Sequence, residues 1–246
     1  MEKYRNTIEF EVYGDYALFS DPVTRVGGEK STYHIPTYEA VKGMVESVYW
    51  KPTIRWIVDG VRVMKPIQTE TKGVRPIGYN GGNELAYYTY LKDVCYQVRA
   101  HFEFNLNHTE LKDDRCEHKH HNIAKRMVQR GGRRDVFLGT RECQAFVEPC
   151  IFGEGESYYD SMPGEVAYGY MYHGITYADE AVLPEEKNKM TINFWRPVMK
   201  PGGIIEFIRP EECPGKRVIK EMEPRTFGRE KGNFTGLREF GEEVDD

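Results

Sequence analysis

The sequence predicts an α+β protein, and three patterns in it do so. Residues 94–106, VCYQVRAHFEFNL, alternate strictly, with Val94, Tyr96, Val98, Ala100, Phe102, Phe104 and Leu106 on one face and Cys95, Gln97, Arg99, His101, Glu103 and Asn105 on the other. A period of two held this long is a long antiparallel strand with one face toward a core and the other toward water. Tyr38, Val41, Val45 and Val48 recur at spacings of three and four instead, which is the apolar stripe of a helix. A second helical run follows the long strand and stops at Gly131-Gly132.

In chain order, IEFEV at 8–12 alternates apolar with Glu and opens a strand over 8–19. Residues 20–36 read as a loop that carries Lys30. The first helix spans about 37–50, entered after Pro36 and unable to pass Pro52. Tyr49 falls in its last turn, where a tyrosine is ordinarily a half-buried core residue. Residues 53–65 make one bent strand or two short ones, with Ile54, Trp56 and Val58 sharing a face. Residues 66–88, rich in Gly, Pro, Asn and Tyr and containing Lys72 and Arg75, form a long loop or protruding hairpin. After the long strand the second helix covers about 118–129, with Ile123, Met127 and the stem of Lys119 along one side. RRDVFLG and ECQAFVEPCIF supply further strands to about Phe152.

The resulting order, βαββαβ, is that of the split-βαβ, ferredoxin-like unit, the platform also used by RNA-recognition domains. The expected organisation is therefore a ferredoxin-like domain over 1–152 with its protrusion near 66–88. A small antiparallel β domain follows over 153–227, from the aromatic alternation of EVAYGYMYHGITY and the strand-like MTINFWRPV and GIIEFIRP, and a charged tail occupies 228–246.

Composition limits the function classes. With 39% hydrophobic and 30% charged residues, a net charge of −5 and five cysteines without CxxC spacing, the chain reads as a cytoplasmic protein with reduced thiols. Neither a leader nor a membrane span is expected, because MEKYRNTIEFE has no apolar core segment and no run approaches the roughly 20 apolar residues of a span. Against that acidic background, residues 112–141 carry nine Lys/Arg to four Asp/Glu. Within this basic island His118, Lys119, His120 and His121 stand together at the start of the second helix. Titratable groups and cations at a helix start suit a phosphodiester, whereas the plain alternative is a solvated charged face. A metal site built from Cys116, His118, His120 and His121 is the other chemical alternative. Structural zinc sites bring paired ligands at CxxC or HxxxH spacing with a distant second pair, and neither is present.

Six blocks taken together, GDYALFSDP, GGEKSTYHIPTYEAVKGMVESVYWKPT, VMKPIQTETKGVRPI, YTYLKDVCYQVRAHFEFNL, GGRRDVFLGTRECQAFVEPC and KEMEPRTF, resemble the subtype I-C (Dvulg-type) Cas-five family of CRISPR-associated proteins in the RAMP superfamily. The resemblance runs from about residue 6 to residue 227. It implies an endoribonuclease that cuts precursor CRISPR RNA at the base of its repeat hairpin without metal or cofactor. The products are a 2′,3′-cyclic phosphate and a 5′-hydroxyl. The protein then stays on the 5′ handle of the mature crRNA as a subunit of the type I-C, Cascade-like interference complex, beside its backbone and large subunits, in antiviral defence. When free it is expected to be monomeric and away from membranes. The family's catalytic tyrosine maps to Tyr49 in ESVYWKPT, and its lysine and histidine map to Lys119 and His120. The flanking His118 and His121 stand where the family pattern does not require histidine, and either could substitute for His120.

The chemistry is coherent. Metal-free RNA cleavage needs a base for the 2′-OH, an acid for the leaving 5′-oxygen and a cation for the developing charge. Histidine, with a pKa of about 6.5, serves as base or acid; lysine, at about 10.4, stays charged; tyrosine, at about 10, orients or relays. Which group is base and which acid is open at this level. For holding RNA, Arg133 and Arg134 after Gly131-Gly132 are the leading phosphate contacts, with Lys30, Lys72 and Arg75 behind them. The competing reading is a subunit that binds the crRNA handle without cutting it.

Overall fold

A computed structural model describes residues 4–22, 24, 28–78 and 80–227. The charged tail expected at 228–246 lies outside the described residues. The chain is a mixed α/β protein built mostly from antiparallel strands. Its elements are β1 (Ile8–Ala17), β2 (Lys30–Ser31), α1 (Tyr38–Val48), β3 (Ile54–Val63), β4 (Thr69–Val74), β5 (Ala86–Phe104), α2 (Glu117–Gln129), β6 (Val136–Phe137), β7 (Gln144–Pro149), β8 (Val166–Ala167), β9 (Met171–Thr176), β10 (Lys189–Trp195), β11 (Val198–Lys200), β12 (Ile204–Glu206) and β13 (Gly215–Glu221).

The main sheet runs β6-β7-β1-β5-β3-β12-β11-β8, and β2 and β4 pair with the first part of β5. The pairs β1–β7, β1–β5 and β3–β5 are all antiparallel. The remaining strands form a second sheet, β13-β10-β9. Residues 153–227 thus divide between the two sheets, with β12 zipped onto β3 through Ile205 and Val61.

The alternation in β1 and β5 buries Ile8, Phe10 and Val12 against Val98, Ala100 and Phe102. β5 begins eight residues earlier than its alternation indicates, because β4 folds back on it as the hairpin expected at 66–88. β3 is one bent strand: its register slips between Val58 and Gly60. Leu106 lies beyond the end of β5 and is exposed.

The second face of β5 is not wet. Cys95, Gln97 and His101 are buried. The Gln97 amide donates to Glu154 O at 2.7 Å, and Arg62 from β3 donates to Glu154 O and Gly155 O and pairs with Asp160 at 2.8 Å. Tyr4 stacks on His101 with ring centroids 3.8 Å apart. Segments distant in sequence roof this face, so its polar residues meet protein partners rather than solvent.

α1 starts where expected: the Thr37 hydroxyl accepts from Ala40 N at 3.2 Å. It docks toward β9 through a buried ion pair, Lys42 with Glu180 at 2.5 Å, and through Glu39, which accepts from Ile175 N at 3.0 Å. α2 sits differently from expectation. Its buried residues are His120, Ala124 and Val128; Ile123 and Met127 are half-buried beside them, and Lys119 faces out.

A candidate nuclease site between the two helices

The end of α1 and the start of α2 meet. Tyr49 caps α1 in an extended conformation: its N–H still donates to Val45 O, and the Trp56 indole N–H donates to Tyr49 O at 2.6 Å. This turns the phenol inward rather than along the helix. His120 sits one turn into α2, its ring edge-on to Phe102 and Phe104 of β5. The Tyr49 hydroxyl and His120 Nδ1 are 2.8 Å apart. His120 Nε2 lies 2.7 Å from the main-chain oxygen of Asp114. A carbonyl only accepts, so Nε2 carries the hydrogen, and in the neutral ring Nδ1 then accepts from the Tyr49 hydroxyl. Tyr49 is 2% exposed and His120 0%. Burial, helped by the charge of Asp114 and opposed by that of Arg133, pushes the Tyr49 phenol up to about 12, so it is a hydroxyl at neutral pH.

Asp114 organises the pocket. It ends a 3-10 turn at Thr109–Asp114, just before α2, which returns its main chain toward His120. Its carboxylate holds the Lys119 ammonium on one oxygen and accepts from the Thr53 hydroxyl at 2.7 Å on the other. The Lys119 contact, with Thr53 adding to it against the opposing effect of burial, holds the Asp114 carboxyl below the usual aspartate range. Neither Asp114 nor Thr53 was singled out from sequence. The only signal was an acidic residue just ahead of a helix start, which is also where aspartate commonly sits for capping.

The sequence candidates separate clearly. Tyr49, His120 and Lys119 share the pocket, with Lys119 its exposed member at 51% side-chain exposure. His118 is exposed and lies 3.2 Å from the Arg5 guanidinium. His121 Nε2 points to Thr7 O at 3.1 Å. Cys116 is exposed, so the four possible metal ligands face in different directions. Among the described residues, no group of three or more His, Cys, Asp or Glu is placed to hold a metal ion.

Gly131 and Gly132, at φ of +85° and +110°, end α2: their N–H groups donate to Val128 O and Met127 O. Those donors are therefore spent on the helix, and the glycines shape the loop rather than offering N–H groups to a phosphate. The next two N–H groups, of Arg133 and Arg134, donate to Ser47 O and Val48 O and so cap the open end of α1. Both arginine side chains are exposed, and Arg133 Nη1 reaches Trp50 O at 3.4 Å. Lys30, Lys72 and Arg75 lie elsewhere. The Lys30 and Lys72 ammonium groups sit over the rings of Tyr88 and Tyr16, at 4.8 and 3.2 Å, and Arg75 follows β4. Tyr88 and Phe102 are fourteen residues apart on β5, a path of about 45 Å along the strand.

The family model described as CRISPR-associated protein (Cas_Cas5) matches residues 7–206, which includes every residue of this pocket. The chain belongs to this family. Two relatives named CRISPR pre-crRNA endoribonuclease Cas5d are similar to it. The one from Mannheimia succiniciproducens is 26% identical over 169 residues, covering 59% of this chain and 68% of the relative. The one from Thermus thermophilus is 27% identical over 151 residues, covering 58% of this chain and 63% of the relative, less than two thirds of its length. The crystal structure of a CRISPR-associated protein superposes on this family member with a TM-score of 0.71 at 34% identity, over 86% of this chain and 96% of that one. A functionally uncharacterized protein, SMU1763c from Streptococcus mutans, does so with a TM-score of 0.70, also at 34% identity and over the same shares. No helix among the described residues is long and apolar enough to cross a membrane.

In this family member Asp114 tethers Lys119, so replacing it should slacken the cation without dissolving the helix pair. Asp114→Ala keeps the main-chain acceptor for His120 and loses the carboxylate. The expected result is a fall of about tenfold in the cleavage rate of repeat RNA, with binding little changed. In the wild type the same tether is intact above the ordinary aspartate range. It is lost as pH falls through the lowered value, so the ratio of wild-type to variant rates should shrink in acid. A ratio that stays constant with pH, or no loss of rate, would contradict the role given to this carboxylate.

Proposed function

We propose that this protein cuts precursor CRISPR RNA at the base of its repeat hairpin by attack of a ribose 2′-OH. It then stays on the 5′ handle of the product as a subunit of a type I-C interference complex. The observation that carries this reading is the 2.8 Å bond between Tyr49 and His120, with Lys119 beside them on Asp114. The names of the two relatives support the same activity.

Both ring nitrogens of His120 are engaged, so the imidazole reaches RNA through the Tyr49 hydroxyl. The substrate 2′-OH gives its proton to the Tyr49 oxygen as Tyr49 passes its own to His120 Nδ1. The 2′-oxygen bonds to phosphorus and the P–O5′ bond breaks. The leaving oxygen takes a proton from the Lys119 ammonium, which also balances the developing charge. A free tyrosinate is not needed, which matters because burial disfavours one. Arg133 and Arg134 hold the flanking phosphates.

We also read β1-α1-β3-β5-α2-β7 as a ferredoxin-like, RNA-recognition-like unit of the RAMP kind. Support comes from the spatial order β7-β1-β5-β3 with every neighbour antiparallel. Residues 1–152 carry the chemistry in this reading, and 153–227 complete both sheets.

The closure of the pocket favours one rival. If the buried Tyr49–His120 pair only locks α1 to α2, the protein would hold the crRNA handle without cutting. Purified protein is incubated with the repeat RNA of its own genome in excess chelator. Cleavage to a 2′,3′-cyclic phosphate and a 5′-hydroxyl is expected. Binding without cleavage would establish the rival, and cleavage lost on chelation would overturn the mechanism.

A further inference from the structure

Beside the loop at 130–135 a groove of about 520 Å³ runs round the outer edge of β7, lined among others by Tyr13, Arg130, Arg133, Arg134, Phe146 and Glu148. β6 pairs only with residues 144 and 145 of β7, so among the described residues the edge beyond them has no strand against it. Alternation turns Ala145 and Val147 into the core and Phe146 outward, 58% exposed. Tyr13 lies directly across on β1, its ring 5.8 Å from that of Phe146 at 34°, held by its hydroxyl donating to Glu148 at 2.6 Å.

A single exposed phenylalanine is ordinary. Here it shares a groove with three arginines for which no carboxylate within salt-bridge reach is found among the described residues. Of the two carboxylates lining the groove, Asp135 and Glu148, the second is engaged by Tyr13. The groove also joins the candidate site: Arg133 touches Trp50 O, next to Tyr49, and its charge is felt at the Tyr49 phenol. A polyanion with flat apolar faces, leaving that pocket past Arg133 and Arg134, arrives at Phe146.

We infer that Phe146, steadied by Tyr13, is a stacking platform for a base of the unpaired strand that leaves the foot of the repeat hairpin. The arginines take that strand's phosphates. Every base has a π-face, so this contact adds affinity without reading sequence. The inference rests on the endoribonuclease reading and adds a second contact point for its substrate.

The test measures the Kd of full-length protein for repeat RNA with and without the unpaired flank, for wild type, Phe146→Ala and Phe146→Trp. Phe146→Ala is expected to weaken binding of the flanked RNA about tenfold or more and to leave the bare hairpin unchanged. Phe146→Trp should restore flanked binding, and an abasic nucleotide walked along the flank should mimic Phe146→Ala at one position. Equal loss on both RNAs, no loss on either, or a variant that binds RNA normally but fails to join other complex subunits would each overturn the platform. Wild-type cleavage is followed in parallel. If wild type does not cut the repeat, the endoribonuclease reading fails, whereas normal cutting by wild type with flanked binding undiminished in Phe146→Ala defeats the platform alone.

Discussion

Replacing His120 by alanine should lower the single-turnover rate of repeat-RNA cleavage by about 10²–10⁴-fold, the usual worth of a positioned acid–base group. The same change at His118 or His121 should leave the rate within about twofold. The difference follows from where the three imidazoles point. His120 is bonded to Tyr49, whereas His118 meets Arg5 at the surface and His121 meets Thr7 O. Losing this ring also leaves the buried Tyr49 hydroxyl without its partner, at about 1–3 kcal/mol, while the Asp114 carbonyl keeps the Cys116 N–H, so thermal stability must be followed beside activity. His120→Gln separates the two effects: its amide can donate and accept but takes up no proton near neutrality. A folded, RNA-binding and inactive glutamine variant is the expected outcome. Full activity in either His120 variant would refute the relay through Tyr49.

A single 2′-deoxy sugar immediately 5′ of the scissile phosphate should abolish cleavage altogether while leaving Kd within about twofold. The atom removed is the nucleophile itself, so no rearrangement of the pocket compensates. The contacts proposed for affinity, Arg133, Arg134 and the aromatic platform, address phosphates and base faces and are indifferent to one hydroxyl. Deoxy sugars one position to either side should be cut at nearly the normal rate. Cutting of the first substrate at the wild-type rate would mean that water or another group attacks, and the roles assigned to Tyr49 and His120 would fall together.

Much of this architecture was legible before any coordinate. The alternation in Ile8–Val12 and Val94–Phe104 marks the two strands that pair at the centre of the sheet, and Thr37 and Pro52 bracket α1. Tyr49, Lys119 and His120 were reached through family resemblance and not through their own patterns, since a tyrosine at a helix end and a histidine at a helix start are unremarkable alone. Spacing puts Ile123 and Met127 on one side of α2, and they do pack half-buried against the core, but it does not show that His120 with Ala124 and Val128 lies deepest. A histidine whose two nitrogens are both satisfied packs like a core residue, and nothing local says whether those partners exist.

The second face of β5 teaches the same lesson: Gln97 and His101 are polar by type and buried by circumstance, because residues near 154 and Tyr4 cover them. Periodicity is a property of neighbours in the chain, and it was enough to specify the central strands, the two helices and their order, though not the short β2 or β13. Contacts between Tyr49 and His120, or between Asp114 and Thr53, join residues 71 and 61 positions apart. Whether a phenol meets an imidazole or a carboxylate meets an ammonium depends on how helices and turns dock. That is settled by packing over the whole sheet, which no window of sequence contains.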